Sequence, residues 1–313
     1  MQLIEKEFDK KNFKKIEIKS NSNLYFEKLF LEYSFEYISK YKKILVIEII
    51  INDQIINILA TPDIDGHDRK ISFFDEPINF SFDDEEVCKK ILDLFRTKYN
   101  TVKVKKICKN NILLNNLKNF QSDESKREIF EETEIDLTIE LDQIFNKFSK
   151  GHKYNVKKKD DLNYQIIDKD NYVKETILEM QKLHELISMK KTRSNNSWLI
   201  NEKMILEGKA FIIQVKHNKK LISSTFFFHN KYECIYFSSC TIRDYFKKYF
   251  ISHKTIWLAI KYSKELNLNI FKLGRSKTLE TRKKISQKEI NIEKFKNSFG
   301  GNKVCYISYL FNS

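Results

Sequence analysis

Apolar positions along the chain recur with two periods, and the switch between them separates helix from strand. In the first half, NLYFEKLFLEYSFEYISKY (residues 23–41) has the three-to-four spacing of an amphipathic helix. KILVIEIII (43–51) and INILATP (56–62) are short apolar runs of strand length. DIDGHDRK (63–70) reads as a loop, followed by ISFF and a turn at Pro77. DDEEVCKKILDLFRTKY (83–99) opens on acids and closes on bases, as a helix dipole prefers. VKVKKI (102–107) alternates as a strand does. NNILLNNLKNFQSDESKREIFEE (110–132) is polar and reads as a connector.

The second half opens with a strand, EIDLTI (134–139), a basic helix, DQIFNKFSKGHKYNVKKK (142–159), and the strand NYQII. NYVKETILEMQKLHELISM (171–189) carries Val173, Ile177, Met180, His184 and Ile187 at helical spacing. SWLINEKMILEG ends at Gly208, a favoured helix-terminating residue. The period then drops to two. AFIIQVKHN, KLISSTFFFHN and KYECIYFSSC (210–240) form a meander whose first two strands end at Asn turns. A loop, TIRDYFKKYFIS, leads to the helix HKTIWLAIKYSKELN (253–267), the strand IFKLG and a basic linker. The helix INIEKFKNSF, Gly300-Gly301 and a final strand, KVCYISYLF, close the order. A meander joined through a helix to one more strand implies a mixed sheet covered by helices, an α+β fold. The first half repeats this order in shortened form, as a diverged copy would.

Composition narrows the partners. The chain has 313 residues, enough for two domains, and 41% apolar content, which excludes a disordered class. Its formal charge of +14 suits nucleic acid, phosphate-bearing cofactors or an anionic membrane face. The abundance of Ile, Lys and Asn beside scarce Gly, Pro and Ala fits a coding bias equally well. Five cysteines, with no CxxC spacing, read as free thiols of a reducing compartment. The N-terminus has no apolar signal core, and Ile44–Ile51 falls short of the ~20 residues a bilayer span needs. A cytoplasmic protein is expected, with peripheral attachment at the inner face of a membrane left open.

Three stretches could carry chemistry. Ser252, His253 and Lys254 precede or open a helix, where free N–H groups favour phosphate, unless Ser252 merely caps the helix beside a solvated loop. On residues 148–159, Lys150, Lys153 and Lys157 share one helical face. They would grip phosphates or simply face water. In LHELISMKKTRSNNSW, His184 lies on an apolar stripe and reads first as a core residue. The loop after it carries Arg193, suited to a bidentate contact with carboxylate or phosphate. P-loop, GxGxxG, HExxH and GxSxG motifs are all missing, which argues against kinases, dinucleotide oxidoreductases, zincins and serine hydrolases.

The run GKAFIIQVKHN through IFKLGRS, then INIEKFKNSFGGNKV, resembles the FemAB-like branch of the GNAT acyltransferases over about residues 133–308. HELISMKKTRSNNSWLINEKMILEG resembles a subgroup encoded among bacterial surface-glycan genes. The resemblance implies two GNAT-like domains in tandem, a degenerate one at 1–132 and a transferase domain at 133–313. It implies N-acyl transfer from acyl-CoA, or aminoacyl transfer from charged tRNA, to an amine on a sugar or peptidyl precursor, with no metal. It places Tyr236, Ser238 and Ser239 at the donor carbonyl, with His229 as a candidate base. Ser252, His253, Lys254 and Lys296 fall on the donor side. His184, Thr192, Arg193, Trp198 and Lys153 fall on the acceptor side. Phe295 and Phe299 are expected in the core, and the FGG stretch leads a last strand toward the donor cleft. Two departures stand out: Lys272 where the family commonly has an acid, and no glycine-rich pyrophosphate loop. The competing reading is a non-catalytic RNA-binding protein using residues 148–159 and 243–254.

Overall fold

In a computed structural model, the described residues are 2–8, 27–37, 44–51, 54–65, 68–73, 90–91, 93–95, 97–108, 128–277 and 285–312. The first half supplies β1 (Gln2–Phe8), α1 (Lys28–Tyr37), β2 (Ile44–Ile51), β3 (Gln54–Asp65), β4 (Asp68–Phe73) and β5 (Thr101–Cys108). The second half begins with β6 (Glu128–Asp136), α2 (Leu141–Asn146), α3 (Lys150–Lys157), β7 (Asn163–Ile167), α4 (Lys174–Ser188) and α5 (Asn195–Leu206). The meander is β8 (Ala210–His217), β9 (Lys220–His229) and β10 (Glu233–Thr241). Then follow α6 (Arg243–Lys248), α7 (Ile251–Glu265), β11 (Ile270–Lys277), α8 (Gln287–Asn297) and β12 (Asn302–Asn312).

Among the described residues, twelve strands form one sheet in the order β1-β2-β3-β4-β5-β12-β6-β11-β10-β9-β8-β7. The repeat expected from the sequence is visible in the ladders. β2, β3 and β4 pair antiparallel and β4 pairs parallel with β5; β8, β9 and β10 pair antiparallel and β10 pairs parallel with β11. The parallel step needs a crossover, and in the second half α7 provides it. The two strands at the centre are exchanged. β12, last in the chain, pairs with β5 of the first half and with β6. It therefore enters the sheet with β6 and β11 between it and β10.

Several local expectations shift. The stretch 63–70 is mostly the ends of the β3–β4 hairpin rather than a loop. Residues 128–132 of the supposed connector already belong to β6. The helix expected at 142–159 is two helices, because Ser149 leaves helical geometry to accept the His152 N–H and cap α3. The stretch 241–252 contains α6. Most of the helix expected at 83–99, and residues 110–127, lie outside the described residues.

The second-half sheet buries both faces. On one, α1, α4 and α5 pack Tyr33, Ile177, Met180 and Trp198 against Ile212, Phe226 and Ile235. On the other, α2 and α7 pack Ile144, Phe148, Ile256 and Ile260 against Phe211, Phe227 and Phe271, with Phe299 closing the layer. A buried side chain of this size contributes roughly 1.5–3 kcal/mol, so each layer stabilises the fold substantially. Since α1 belongs to the first half but packs on α5, the halves share a core.

The glycine pair serves close packing. Gly300 adopts φ +69°, and a Cβ there would lie 2.1 Å from the Lys147 carbonyl oxygen; one on Gly301 would lie 2.5 Å from that of Glu134. The chain thus turns against α2 and β6 where no side chain fits. Phe299 is fully buried and Phe295 half-buried, as expected of core anchors.

Lys272, the departure noted in sequence, sits buried in β11 between Glu233 of β10 at 2.5 Å and Glu134 of β6 at 3.8 Å. Burial pulls its ammonium down, but Glu233, Glu132 and Glu134 outweigh that and hold it above the ordinary lysine value. The lysine therefore ties three strands together through charge. Lys272→Met should cost on the order of 3 kcal/mol by leaving buried carboxylates uncompensated. Urea unfolding measures this; a loss under about 0.5 kcal/mol would refute the ion-pair role.

Candidate functional site

The site is built around a fork in the sheet. β10 and β11 pair only through Glu233–Ile235 and Ile270–Lys272, although both strands run on. Beyond those rungs each strand departs from its outer neighbour's register: β10 between Tyr236 and Ser238, β11 between Lys272 and Arg275. The two irregularities part the strands, and the backbone groups of β10 that face β11 leave the ladder.

The extra residue in β10 also decides which side chains meet. Tyr236 stays on the α7 face, among Phe227 and Phe271. Phe237 and Ser238 both turn to the α4–α5 face, where Phe237 packs on Phe30 and Tyr33 of α1. One strand thus presents chemistry to both sides of the fork.

On the α4–α5 face the centre is Arg193. Met189 ends α4 in the left-handed conformation (φ 55°), and Ser194 caps α5 by accepting the Ser197 N–H. The loop so pinned directs Arg193 to the sheet, where Nη2 donates to Ser238 Oγ at 2.7 Å. The guanidinium carbon lies 5.0 Å from the Trp198 ring centre, and 5.8 and 5.7 Å from those of Tyr33 and Tyr37. Nε and Nη1 are buried with no hydrogen-bond partner among the described residues. His184 adjoins this box, with Nδ1 3.1 Å from Thr192 Oγ1 and its ring against Trp198. Burial, then the Arg193 charge, pulls the imidazole below its usual range, so it is neutral at pH 7.

On the other face, Lys296 of α8 reaches the fork. Its Nζ donates to the Gly274 and Arg275 carbonyls at 3.0 and 3.3 Å. Gly274 has φ +80°, and the space a Cβ would take there lies 3.5 Å from Lys296 Nζ and 3.7 Å from the Tyr236 carbonyl oxygen. Burial lowers the Lys296 pKa, opposed in part by Glu132. Burial also raises the Tyr236 phenol, with Ser239 acting against it.

No protein-family model and no curated protein matches the chain by sequence. Solved structures do match. The structure of FemX superposes with a TM-score of 0.65 at 13% identity, covering 93% of this chain and 92% of that one. L-PGS from Bacillus licheniformis gives 0.52 at 13%, with 94% of each chain covered. A tandem GNAT protein from the clavulanic acid biosynthesis pathway gives 0.52 at 8%, covering 86% and 82%. This chain has the tandem GNAT fold.

Within the tandem GNAT fold, the residues singled out in sequence separate into three groups. His184, Thr192, Arg193, Trp198 and Ser238 form one contact cluster. The Tyr236 carbonyl and Lys296 both approach Gly274 at the fork, and Ser239 Oγ of β10 pairs with Thr225 Oγ1 of β9 at 3.0 Å. The first turn of α7 holds Ser252, His253 and Lys254, but Phe250 occupies the cap position and Ser252 caps nothing. The His253 ring lies between His152 and Phe295, with Nε2 3.2 Å from Asn155 Nδ2. Burial and then His152 lower its pKa to about 4. Lys254 is paired with Asp160 at 2.7 Å. Ser252 and the first N–H groups of α7 are what this turn can offer a donor phosphate. His229 ends β9 at the far hairpin, three rungs from the Phe226–Ser238 pair, with Nδ1 3.2 Å from the Asn230 carbonyl oxygen. Lys153 of α3 donates to the Asn146 carbonyl of α2, and α3 packs on α7 across the sheet from Arg193.

Sequence reasoning missed Tyr33 and Tyr37, which complete the Arg193 box from the first half. Their i,i+4 spacing on an amphipathic helix was a visible signal of a shared face, but not of what that face meets. Among the described residues, no group of three or more His, Cys, Asp or Glu could hold a metal ion, and no helix is long and apolar enough to cross a membrane.

Proposed function

We propose that the protein is an N-acyltransferase that moves an acyl group from acyl-CoA, or an aminoacyl group from charged tRNA, to an amine on a sugar or peptidyl precursor of a bacterial surface glycan. The observation that carries this is the fork of β10 and β11 with an unpartnered guanidinium edge on one side of it. The fold of FemX and the tandem GNAT protein agrees with it. Nothing in these comparisons supports the RNA-holding alternative. The functional unit of transfer is residues 133–313, with 1–132 contributing α1 to the acceptor side.

Each group has a task. The parted backbone of β10, with Ser238 and Ser239, faces the donor carbonyl and donates to the oxyanion that forms as the amine attacks. Lys296 holds the second lip of the fork in place through two carbonyls. Ser252 and the start of α7 receive the donor's phosphates. Arg193 takes an anionic group of the acceptor on Nε and Nη1, between Trp198 and the two tyrosines, and so fixes the amine toward Ser238. His184, neutral and within the same cluster, accepts the proton the attacking amine sheds. Our reading assigns the base to His184 rather than to His229, which ends β9 at the far hairpin.

The direct test is donor consumption by purified protein against a panel of amino-sugar nucleotides and peptidyl precursors. Product carrying the donor's acyl mass is expected; no turnover with either donor class would sink the reading. A pH profile separates the two histidines. Because the folded His184 pKa lies below its usual 6.5, kcat/KM should hold down to pH 6.5 and fall only below it, as the imidazole takes up its proton. His184→Gln should remove that acidic limb along with most of the rate. A limb that survives in His184→Gln and vanishes in His229→Gln would reverse the assignment.

A further inference from the structure

We propose that α3 and the corner between α6 and α7 form a docking face for an anionic lipid surface. The observation is a row in which bases and rings alternate across two elements distant in sequence. On α3 and its C-terminal cap, Lys150, Tyr154 and Lys158 recur every four residues and share one outward face. All three are exposed, Tyr154 at 65%. The Lys158 ammonium then lies 5.2 Å over the ring of Phe250, which carries the row onto the neighbouring corner. There Phe250 is 38% exposed and Phe246 59% exposed, with Arg243 and Lys248 exposed around them.

The patch is held as one piece. Asn155 on the inner side of α3 meets His253, and His152 packs its ring 4.4 Å from that of His253. Bases outnumber acids on the face: Lys150, Lys158, Arg243 and Lys248 are exposed, against exposed Asp244 and Asp161, while Asp160 is paired with Lys254. Exposed rings set among lysines match a bilayer's interfacial region. Rings enter at the level of the headgroups while ammonium groups meet lipid phosphates. A nucleic acid would use the same lysines but would stack bases on open ring faces. At Phe250 one face is already covered by Lys158, which disfavours stacking there. The row shares no group with the Arg193 cluster or the fork, and it meets the proposed donor side only at Phe250, which caps the start of α7.

Cosedimentation with vesicles tests it. Full-length protein should pellet with phosphatidylglycerol-containing vesicles at about 0.15 M salt and remain in solution with phosphatidylcholine alone. Lys150→Glu with Lys158→Glu should lower the bound fraction about tenfold or more. Tyr154→Ser with Phe246→Ser should keep binding at low salt and lose it at physiological salt, because the apolar share of the attachment is gone. All four side chains are exposed, and an unchanged melting curve checks that each variant is folded. Absence of vesicle binding, or binding unchanged in both double variants, overturns the proposal. So does a structured RNA held more tightly than the vesicles through these residues, which would assign the face to nucleic acid.

Discussion

Arg193→Ala should lower transfer at least about 100-fold while leaving the protein as stable as before, or more so. The two halves of this expectation come from one geometry. Nε and Nη1 have no hydrogen-bond partner among the described residues, where the guanidinium is held by Ser238 and three aromatic rings. A buried cation without a carboxylate is a cost to folding, and its removal relieves that cost. In the complex, the same two N–H groups would each form a charge-assisted hydrogen bond worth roughly 1.5–3 kcal/mol. Losing both accounts for two or more orders of magnitude, seen mainly as a raised acceptor KM if the contact forms equally in ground and transition states. Arg193→Lys should restore little, because an ammonium keeps the charge but not the planar fork. Steady-state kinetics beside a thermal melt decide the matter. An unchanged rate would remove Arg193 from the site, and a collapsed melting curve would make its role structural.

Gly300→Ala should destabilise the protein by about 4 kcal/mol or more, the sum of a left-handed backbone forced on a residue with a Cβ and a severe overlap. The overlap cannot be relieved by a rotamer change, since the atoms met are the carbonyl oxygen and carbon of Lys147 in the turn between α2 and α3. Ser149 donates its N–H to Ser298 in the same place, so the two turns are locked together. Phe299 beside the glycine packs on Phe148 and His152, and a displaced turn would pull it from the core. Denaturant unfolding, or failure to obtain folded protein, is the readout. Gly151→Ala serves as the control: a Cβ there meets nothing within 4 Å, and helix propensity favours the change by up to about 1 kcal/mol. Equal stability of the two variants would refute the account.

Much of the second half was legible because its signals are local. The meander from Ala210 to Thr241 is a series of apolar runs of strand length broken at Asn turns, and α7 has helical spacing. The FGG stretch stood out because glycine is rare in this chain. What could not be read depends on partners. The irregularity at Phe237 is a property of the β9–β10 pair, and nothing in YFSS alone puts Phe237 and Ser238 on one face. Ser252 looked like a cap, yet Phe250 takes the boundary position with ψ 49° and the helix begins two residues earlier, at Ile251. The break at Lys147–Ser149 was hidden because Phe145, Phe148 and Val156 fit one continuous stripe as well as two short helices. Tyr33 and Arg193 are separated by a long stretch of sequence, and no local pattern joins them.

The exchanged strand at the centre of the sheet sets an order of events during synthesis. β5 acquires its inner neighbour only when residues 302–312 have left the ribosome, because Thr101 pairs with Asn312 and Cys108 with Cys305. Until then the first half carries an open strand edge of the kind that invites pairing with other chains. Its sequence, TVKVKKIC, is rich in lysine, a composition that discourages such pairing. Closing so long a loop is slow relative to local folding, so the newborn protein spends an interval with its first half incomplete.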